Sequence, residues 1–395
     1  MSGITGIGTT FNLPNYHGEL IALTKTDTPL LSAAGGVNGG GSVTDSLAEW
    51  QSYDLRDPEI RTRLEGADAP ANEERVRANI DNRLQIFHES VGTTYTKQAA
   101  VDRYATAASG ASNPVTNEHS WQVMQSLKQV ARDVNYSFWN AVRNDPADNT
   151  TARQMAGLLS VMTSNVQTKK AQITGASAAT DTITVTHDLV VGDKVVFTSV
   201  GASTAIKTGR AYWVQSNATT VSFKVSATSG GAAITVGTAT VAFYPLKVAN
   251  IVTTDGVNQL LQSVFDNGGI SEQGTATVFV PSGQKIGLTK AYAASGTPAN
   301  LLANTRNVGG VSLETIITDF GTLNVAIDRA LPADALAVVS LEQIQPVFLS
   351  IPGKGVLFEE ELAKTGSTDK TQIYGEIGLK YGNEAAHGVM RGFFA

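Results

Sequence analysis

Cysteine is missing from all 395 residues of the chain. Its absence excludes disulfide staples, thiolate metal sites and a cysteine nucleophile, and it suits a protein made and kept in a reducing cytosol. Charge is sparse as well: 16% of residues are Asp, Glu, Lys or Arg, against 42% hydrophobic. That balance supports a real core and argues against general disorder. A formal net charge of −6 gives no basis for sequence-wide affinity to nucleic acid or to an anionic membrane. No apolar run approaches the length of a membrane span. The leading segment MSGITGIGTTFNLPNYHGEL lacks a basic stretch followed by an apolar core, so no secretion signal is expected.

Catalytic patterns are missing too. Gly39-Gly40-Gly41-Ser42 has neither the lysine nor the preceding buried strand of a phosphate-cradling loop. No Gly-x-Ser-x-Gly elbow occurs. The histidines His17, His88, His119, His187 and His387 are scattered, and none stands at His-Glu-x-x-His spacing. His88 and Glu89 adjoin in strand-like sequence, where successive side chains face opposite sides, so they would not share a site. Asp-rich calcium loops are absent. The Asn-x-Ser/Thr patterns at Asn135, Asn149 and Asn217 carry no meaning without secretion. No catalytic, metal or cofactor site is expected, and the chain does not read as an enzyme.

What is present concentrates between Glu49 and Ala100. Every cation there before Lys97 is an arginine: Arg56, Arg61, Arg63, Arg75, Arg77 and Arg83. They alternate with Asp54, Asp57, Glu59, Glu65, Asp68, Glu73, Glu74 and Asp81. Strand-like ends, Glu49–Leu55 and Leu84–Thr96, bracket a polar middle broken by Pro58, Gly66 and Pro70. Such a hairpin has too little apolar content for a core of its own and is costly to order unless it lies on something else. Arginine favours planar, bidentate carboxylate contacts and is the usual cation of interfaces. Two readings stay open on charge pattern: an arm that clasps a neighbouring subunit, or a solvated surface hairpin.

The length allows two or three domains. Residues 1–45 read as an extended arm with a short helix near Tyr16–Leu23 and a second start at Thr28-Pro29. After the hairpin, Thr116 or Asn117 caps the clearest helix. Trp121, Met124, Leu127, Ala131, Val134, Phe138 and Ala141 recur at steps of three and four, one buried face of a long spine, and Asp145-Pro146 stops it. A shorter helix is expected over Thr151–Thr163. From Ala171 to about Pro245 the composition turns to Thr, Val, Ala, Gly and Ser, with short β-branched runs such as Thr182–Thr186, Lys194–Phe197, Tyr212–Val214 and Val221–Val225. This reads as a small all-β module inserted in a host domain. Its aromatics (Tyr212, Trp213, Phe223, Phe243, Tyr244) could form a sugar platform or fill a barrel core. Helices Gly256–Asn267 and Ser282–Ala294 alternate with strands Thr275–Pro281, Gly321–Asp328, Leu336–Ser340 and Ile344–Leu349. Gly355–Leu362, Thr371–Tyr381 and Val389–Phe394 read as a late β-meander. The class is α+β.

Several motifs are long and specific. Phe11-Asn12-Leu13-Pro14-Asn15-Tyr16 leads to Thr28-Pro29-Leu30-Leu31-Ser32, Glu49-Trp50-Gln51 and Arg63-Leu64-Glu65-Gly66-Ala67-Asp68-Ala69-Pro70. Gln85-Ile86-Phe87-His88-Glu89, Val91-Gly92 and Tyr95-Thr96-Lys97-Gln98 follow, then Leu362–Lys370, Tyr374-Gly375-Glu376 and Ala386-His387-Gly388. Together these resemble the SU10-type major head proteins of tailed bacteriophages, over about 1–165 and 250–395.

The resemblance implies an HK97-like capsid fold with a small all-β domain inserted. It implies an N-terminal arm at 1–45, an extended E-loop at 46–100, and a peripheral domain at 101–168 with the spine helix at 117–144. The inserted β-domain takes 169–247, an axial domain 248–345, and C-terminal strands at 346–395 complete the peripheral domain. In such shells the E-loop lies across the adjacent subunit, which makes Arg56, Asp57, Arg61, Arg63, Glu65, Asp68, Glu73, Glu74, Arg75, Arg77 and Arg83 the candidate inter-subunit contacts. The implied partners are further copies of the chain in hexamers and pentamers and a portal protein, with a separate scaffolding protein or none, and a separate decoration protein or none. Contact with packaged dsDNA would be weak and non-specific, and no membrane partner is implied. The implied location is the virion, after assembly in the host cytoplasm. Some shells of this fold join an E-loop lysine to a neighbour's asparagine. This chain has no lysine between Lys25 and Lys97, so a non-covalent shell is expected. The alternatives are a phage tail or surface adhesin with the β-insert as its binding module, and a nanocompartment shell of the same fold.

Overall fold

The computed structural model describes residues 26–36, 40–99, 117–248, 250–270, 276–294, 315–364 and 366–393. The expected helix near Tyr16–Leu23 and the motif Phe11–Tyr16 lie outside these residues. The chain divides into two compact units.

The smaller unit draws on Phe87–Arg132 and Leu357–Gly375. Its strand Leu357–Glu361 pairs antiparallel with the first part of Thr368–Lys380, in the register Leu357↔Gly375 to Glu361↔Thr371. The strand Gln85–Thr94 also pairs with Thr368–Lys380. Val91, Val123 and Ile373 form the core here, with Leu357 against them. His119 bridges two elements of this unit, with Nδ1 3.1 Å from the Thr93 hydroxyl and Nε2 2.8 Å from that of Thr371. His88 packs edge-on to Tyr374 and bonds Gln372.

The long helix runs Glu118–Asn140, about 35 Å at 1.5 Å per residue. Asn117 caps it as expected, its side-chain oxygen accepting from the Ser120 N–H at 3.1 Å. Its buried face is Val123, Val130, Val134, Phe138 and Trp139, whereas Met124 and Leu127, placed on that face by their spacing, are exposed. The helix ends at Asn140, short of the Asp145-Pro146 stop. The expected helix over Thr151–Thr163 shrinks to Leu158–Val161. Its first half is held extended instead, because Asn144 and Gln154 exchange backbone hydrogen bonds and the Ala156 N–H is taken by the Asn82 side chain. Gly157 then passes so close to the long helix that a Cβ would meet the Ser137 carbonyl oxygen at 2.6 Å.

The larger unit draws on Thr28–Ile86, Asp133–Val356 and Glu376–Ala395. It contains a six-stranded sheet in the order Thr315–Thr318, Gly321–Ile327, Ala276–Val280, Leu336–Ser340, Gly388–Arg391, Val166–Thr168. Ala276–Val280 and Leu336–Ser340 are buried at every position, so their sequences are nearly all apolar, with only Thr277 and Ser340 polar, rather than alternating. Helices Thr254–Asp266 and Ser282–Ala294 contribute Val257, Leu260, Leu261, Val264, Leu288 and Tyr292 to the same core. The last strand corrects the expected C-terminal meander: Gly388–Arg391 pairs with Leu336–Ser340 and Val166–Thr168, not with Thr368–Lys380. A second sheet sets Gly41–Val43 parallel to Gln345–Leu349, which pairs antiparallel with the end of Thr368–Lys380.

The Thr/Val-rich stretch forms a closed barrel of six strands, in the order Ser222–Ser226, Thr182–Thr184, Ile173–Ala179, Ala239–Leu246, Lys194–Ser199, Ala211–Thr219. Phe197, Phe223 and Phe243 pack edge-to-face inside it at 5.3 and 5.9 Å. Tyr212 is buried with them, so the barrel core takes three of the five aromatics that could have made a platform. Lys194 lies over the Trp213 ring and Arg391 over the Tyr244 ring, each at 4.6 Å. At the neck, the Asp188 carboxylate holds both Lys170, on the incoming linker, and Lys247, on the outgoing one. The buried Asp193 adds a second tie, accepting the Val248 N–H at 3.0 Å.

Candidate functional site

The charged hairpin is anchored at one end and open at the other. Its ladder joins Leu47–Tyr53 to Arg77–Arg83, with Leu47 opposite Arg83 and Tyr53 opposite Arg77. This corrects the expected pairing, in which Leu84–Thr96 formed the return strand. The return strand is Arg77–Arg83, and the chain reaches Gln85–Thr94 only after Leu84.

Asn82 accounts for where the ladder ends. It is wholly buried and donates to the Leu379 and Ala156 carbonyls at 2.7 and 3.1 Å, while its oxygen accepts the Ala156 N–H at 2.8 Å. A buried amide so satisfied fixes the strand's register, since a slip of one residue would strand it. Around this point Trp50 stands edge-on to Tyr381 at 4.8 Å and donates to the Gly382 carbonyl at 3.1 Å. Arg153 pairs with the buried Glu376 and donates to the Leu84 carbonyl at 3.0 Å. Arg143 pairs with Asp81 at 2.5 Å and Arg83 with Asp145 at 2.5 Å. The Arg143 hydrogen bond holds the Asp81 carboxyl below its usual range, and the Arg83 hydrogen bond does the same for Asp145.

Beyond Tyr53 and Arg77 no ladder continues, and residues 54–76 have only a turn. Its single backbone bond runs from the Ala67 N–H to the Leu64 carbonyl at 3.2 Å, with Gly66 at φ +80°. Every side chain over 54–76 is exposed. Ile60 is 94% and Leu64 86% exposed, with Leu55 and Val76 largely so. Apolar side chains this bare on an extended segment bury nothing within their own chain.

Charges organise the open end. Glu73 receives Arg61, Arg75 at 3.1 Å and Arg56 at 3.3 Å. Glu59 receives Arg61 at 2.7 Å and Arg56 at 3.2 Å. The Arg61 hydrogen bond, then that from Arg75, holds the Glu73 carboxyl below its usual range, and the bonds to Glu59 and Glu73 raise Arg61.

Of the contact candidates, Arg56, Arg61, Glu73 and Arg75 are thus brought together. Arg77 donates to Gln51 at 3.2 Å and Arg83 is engaged at the root. Asp57, Arg63, Glu65, Asp68 and Glu74 are exposed and make no ion pair among the described residues. Sequence reasoning passed over Leu55, Ile60 and Leu64, whose signal was their isolation in a charged stretch. It also missed the Asn82 and Glu376 anchors, which give no local signal because their partners lie far off in the chain.

The family model for the SU10 major capsid protein matches residues 3–394. The chain belongs to that family. It is a capsid protein, a structural component of the virion and not an enzyme. Among solved structures, the capsid asymmetric unit of Cyanophage A-1(L) aligns with a TM-score of 0.56 at 10% identity, covering 98% of each chain. That likeness gives the fold, the mixed α and β fold of HK97-like phage capsid subunits. The capsid of an empty GTA particle aligns at 0.48 and 13% identity over 100% of this chain and 99% of that one. The holo-SrpI encapsulin complex from Synechococcus elongatus aligns at 0.47 and 9% identity over 95% and 93%. No curated protein sequence matches the chain significantly.

Proposed function

We propose that this capsid protein assembles as hexamers and pentamers into an icosahedral head around a dsDNA genome, held together by non-covalent contacts of the hairpin arm. The observation that carries the reading is the bareness of Ile60 and Leu64 on an arm firmly braced at its root. A braced arm with exposed apolar side chains gains its order from a surface outside its own chain, and in a capsid that surface belongs to a neighbouring copy. The arm corresponds to the E-loop assigned to 46–100, and its projecting part is 54–76. The cations of that projecting part are all arginines, so it offers no amine for an isopeptide link.

The remaining assignments follow the same frame: an N-terminal arm at 1–45, a peripheral domain at 101–168 with 346–395, and an axial domain at 248–345, except that the strands Val166–Thr168 and Gly388–Arg391 go with the axial sheet. The barrel is an inserted domain at 169–247, whose neck ties make it a rigid fitting on the subunit. A portal protein completes the head, with a separate scaffolding protein or none, and a decoration protein where the barrel does not replace it. Assembly takes place in the host cytoplasm. Contact with packaged DNA stays weak, in keeping with the net charge of −6, because each neutralised phosphate adds salt-sensitive affinity that would hinder release.

Negative-stain microscopy and light scattering on the purified chain test this. Closed shells tens of nanometres across are expected from the natural chain, running as one monomer band on a denaturing gel. An I60D/L64D double variant is expected to remain a small oligomer. Normal shells from that variant would refute the arm's role, and a ladder of covalent oligomers would refute the non-covalent shell.

A further inference from the structure

Residues 54–76 leave the ladder as two limbs. The first, running to Leu64, carries Leu55, Ile60 and Leu64, and the second carries Glu73 and Arg75. Among the described residues, the links between the limbs are Arg56 to Glu73 and Arg61 to Glu73. Glu59 ties the same two arginines together along the first limb. With the ladder finished at Tyr53 and Arg77, nothing else sets the separation of the limbs.

We infer that Glu73 is the positioning residue of the arm: it clasps Arg56 and Arg61 so that the first limb presents Ile60 and Leu64, preformed, to a second copy of the chain. This rests on the reading that the arm contacts a neighbouring copy. An isolated exposed ion pair contributes little, but a carboxylate shared by three guanidinium groups is a network. Here it competes only with the disorder of two limbs that lack a core. Preorganisation lowers the entropy lost on docking, so it acts on assembly without touching the partner. Screening by salt weakens such a clasp, the Debye length falling from about 10 Å at 0.1 M to about 3 Å at 1 M.

The test uses the full-length chain and its E73Q and R61Q variants, with I60D/L64D beside them. Trypsin cleavage after Arg56 and Arg63, sites kept in every variant, is timed in dissociated subunits, and shell formation is followed by light scattering. E73Q is expected to be cut several-fold faster and to assemble several-fold more slowly. R61Q should match it, and a combined E73Q/R61Q variant should be no worse than either. Raising salt should speed cleavage of the natural chain toward the variant's rate and leave the variant unchanged. Circular dichroism should show all variants folded, since Glu73 and Arg61 lie at the surface.

If I60D/L64D fails to assemble while E73Q matches the natural chain in cleavage and rate, the clasp is refuted and the arm's role stands. Faster cleavage with unchanged assembly also refutes it. Normal assembly of I60D/L64D would overturn the arm's role, and the clasp's purpose with it.

Discussion

Trp139 donates its indole N–H to Asp328 at 2.8 Å, joining residues 189 apart in sequence. The same carboxylate accepts both from the Asn135 amide and from the Ala330 N–H at 2.8 Å. The Asn135 oxygen in turn accepts the Leu31 N–H at 3.0 Å. All but the half-buried Ala330 bond is buried, so one carboxylate satisfies donors from the helix, its own loop and, through Asn135, the segment before the arm. Replacing Asp328 by Ala would strand those donors, at about 1–3 kcal/mol for each unsatisfied group. Urea unfolding of D328A should show a loss of roughly 3 kcal/mol or more, with Asp328→Asn losing less because it keeps an acceptor.

His387 gives the fold an acid limit. Its Nδ1 accepts the Ser340 N–H at 3.2 Å and its Nε2 faces the Tyr381 carbonyl at 3.0 Å, so the buried ring is neutral. Burial pushes its pKa below the ordinary 6.5. The unfolded chain therefore binds more protons just below that value, and stability rises with pH there. The contribution is complete above about 6.5 and declines as pH falls toward the folded value. Unfolding free energy measured between pH 7 and 5 should drop for the natural chain. His387→Gln should flatten that drop, and an unchanged slope would exclude the histidine as its source.

Asp188 should act in a lower window. Hydrogen bonds from Lys170 first, and from Lys247, pull its pKa from 3.8 to about 2. Its stabilising contribution is present above 3.8 and fades as pH falls through about 2. The melting temperature of Asp188→Asn should lie below that of the natural chain at pH 7. The gap should shrink in high salt, because the carboxylate is half-exposed, and should close near pH 2.

The neck also makes the barrel removable. Lys170 and Lys247 reach the same Asp188 oxygen, so the two linkers lie side by side and a few flexible residues can replace 171–246. The shortened chain should fold and form shells that fail at a lower temperature than the natural ones. Shells equally stable to heat but poorer at adsorbing to cells would make the barrel an adhesive instead.

Much of this architecture was legible because it depends on local signals. The Asn117 cap, the spine helix's polar start and the bounds of Ser282–Ala294 follow from residues a turn or two apart. The buried strands Ala276–Val280 and Leu336–Ser340 were legible as short, mostly apolar segments. The arm's charge and poverty of core were equally plain. Its return strand was not, since Arg77–Arg83 looks polar and Leu84–Thr96 looks like a better strand. The choice is made by Asn82 against Leu379 and Ala156, partners that sequence distance conceals. The short Leu158–Val161 helix failed for a related reason, its neighbours' N–H groups being committed to distant acceptors. Met124 and Leu127 show that spacing alone places a face only to within one helical row.

The lysine-free run from 26 to 96 has a practical side. Amine-reactive dyes will label the subunit elsewhere and leave the arm's projecting part, 54–76, chemically native. Because the chain also lacks cysteine, Leu64→Cys would carry the sole thiol of each subunit. A fluorophore there would sit at the arm's turn, where its emission can follow the arm from free solution to contact in real time.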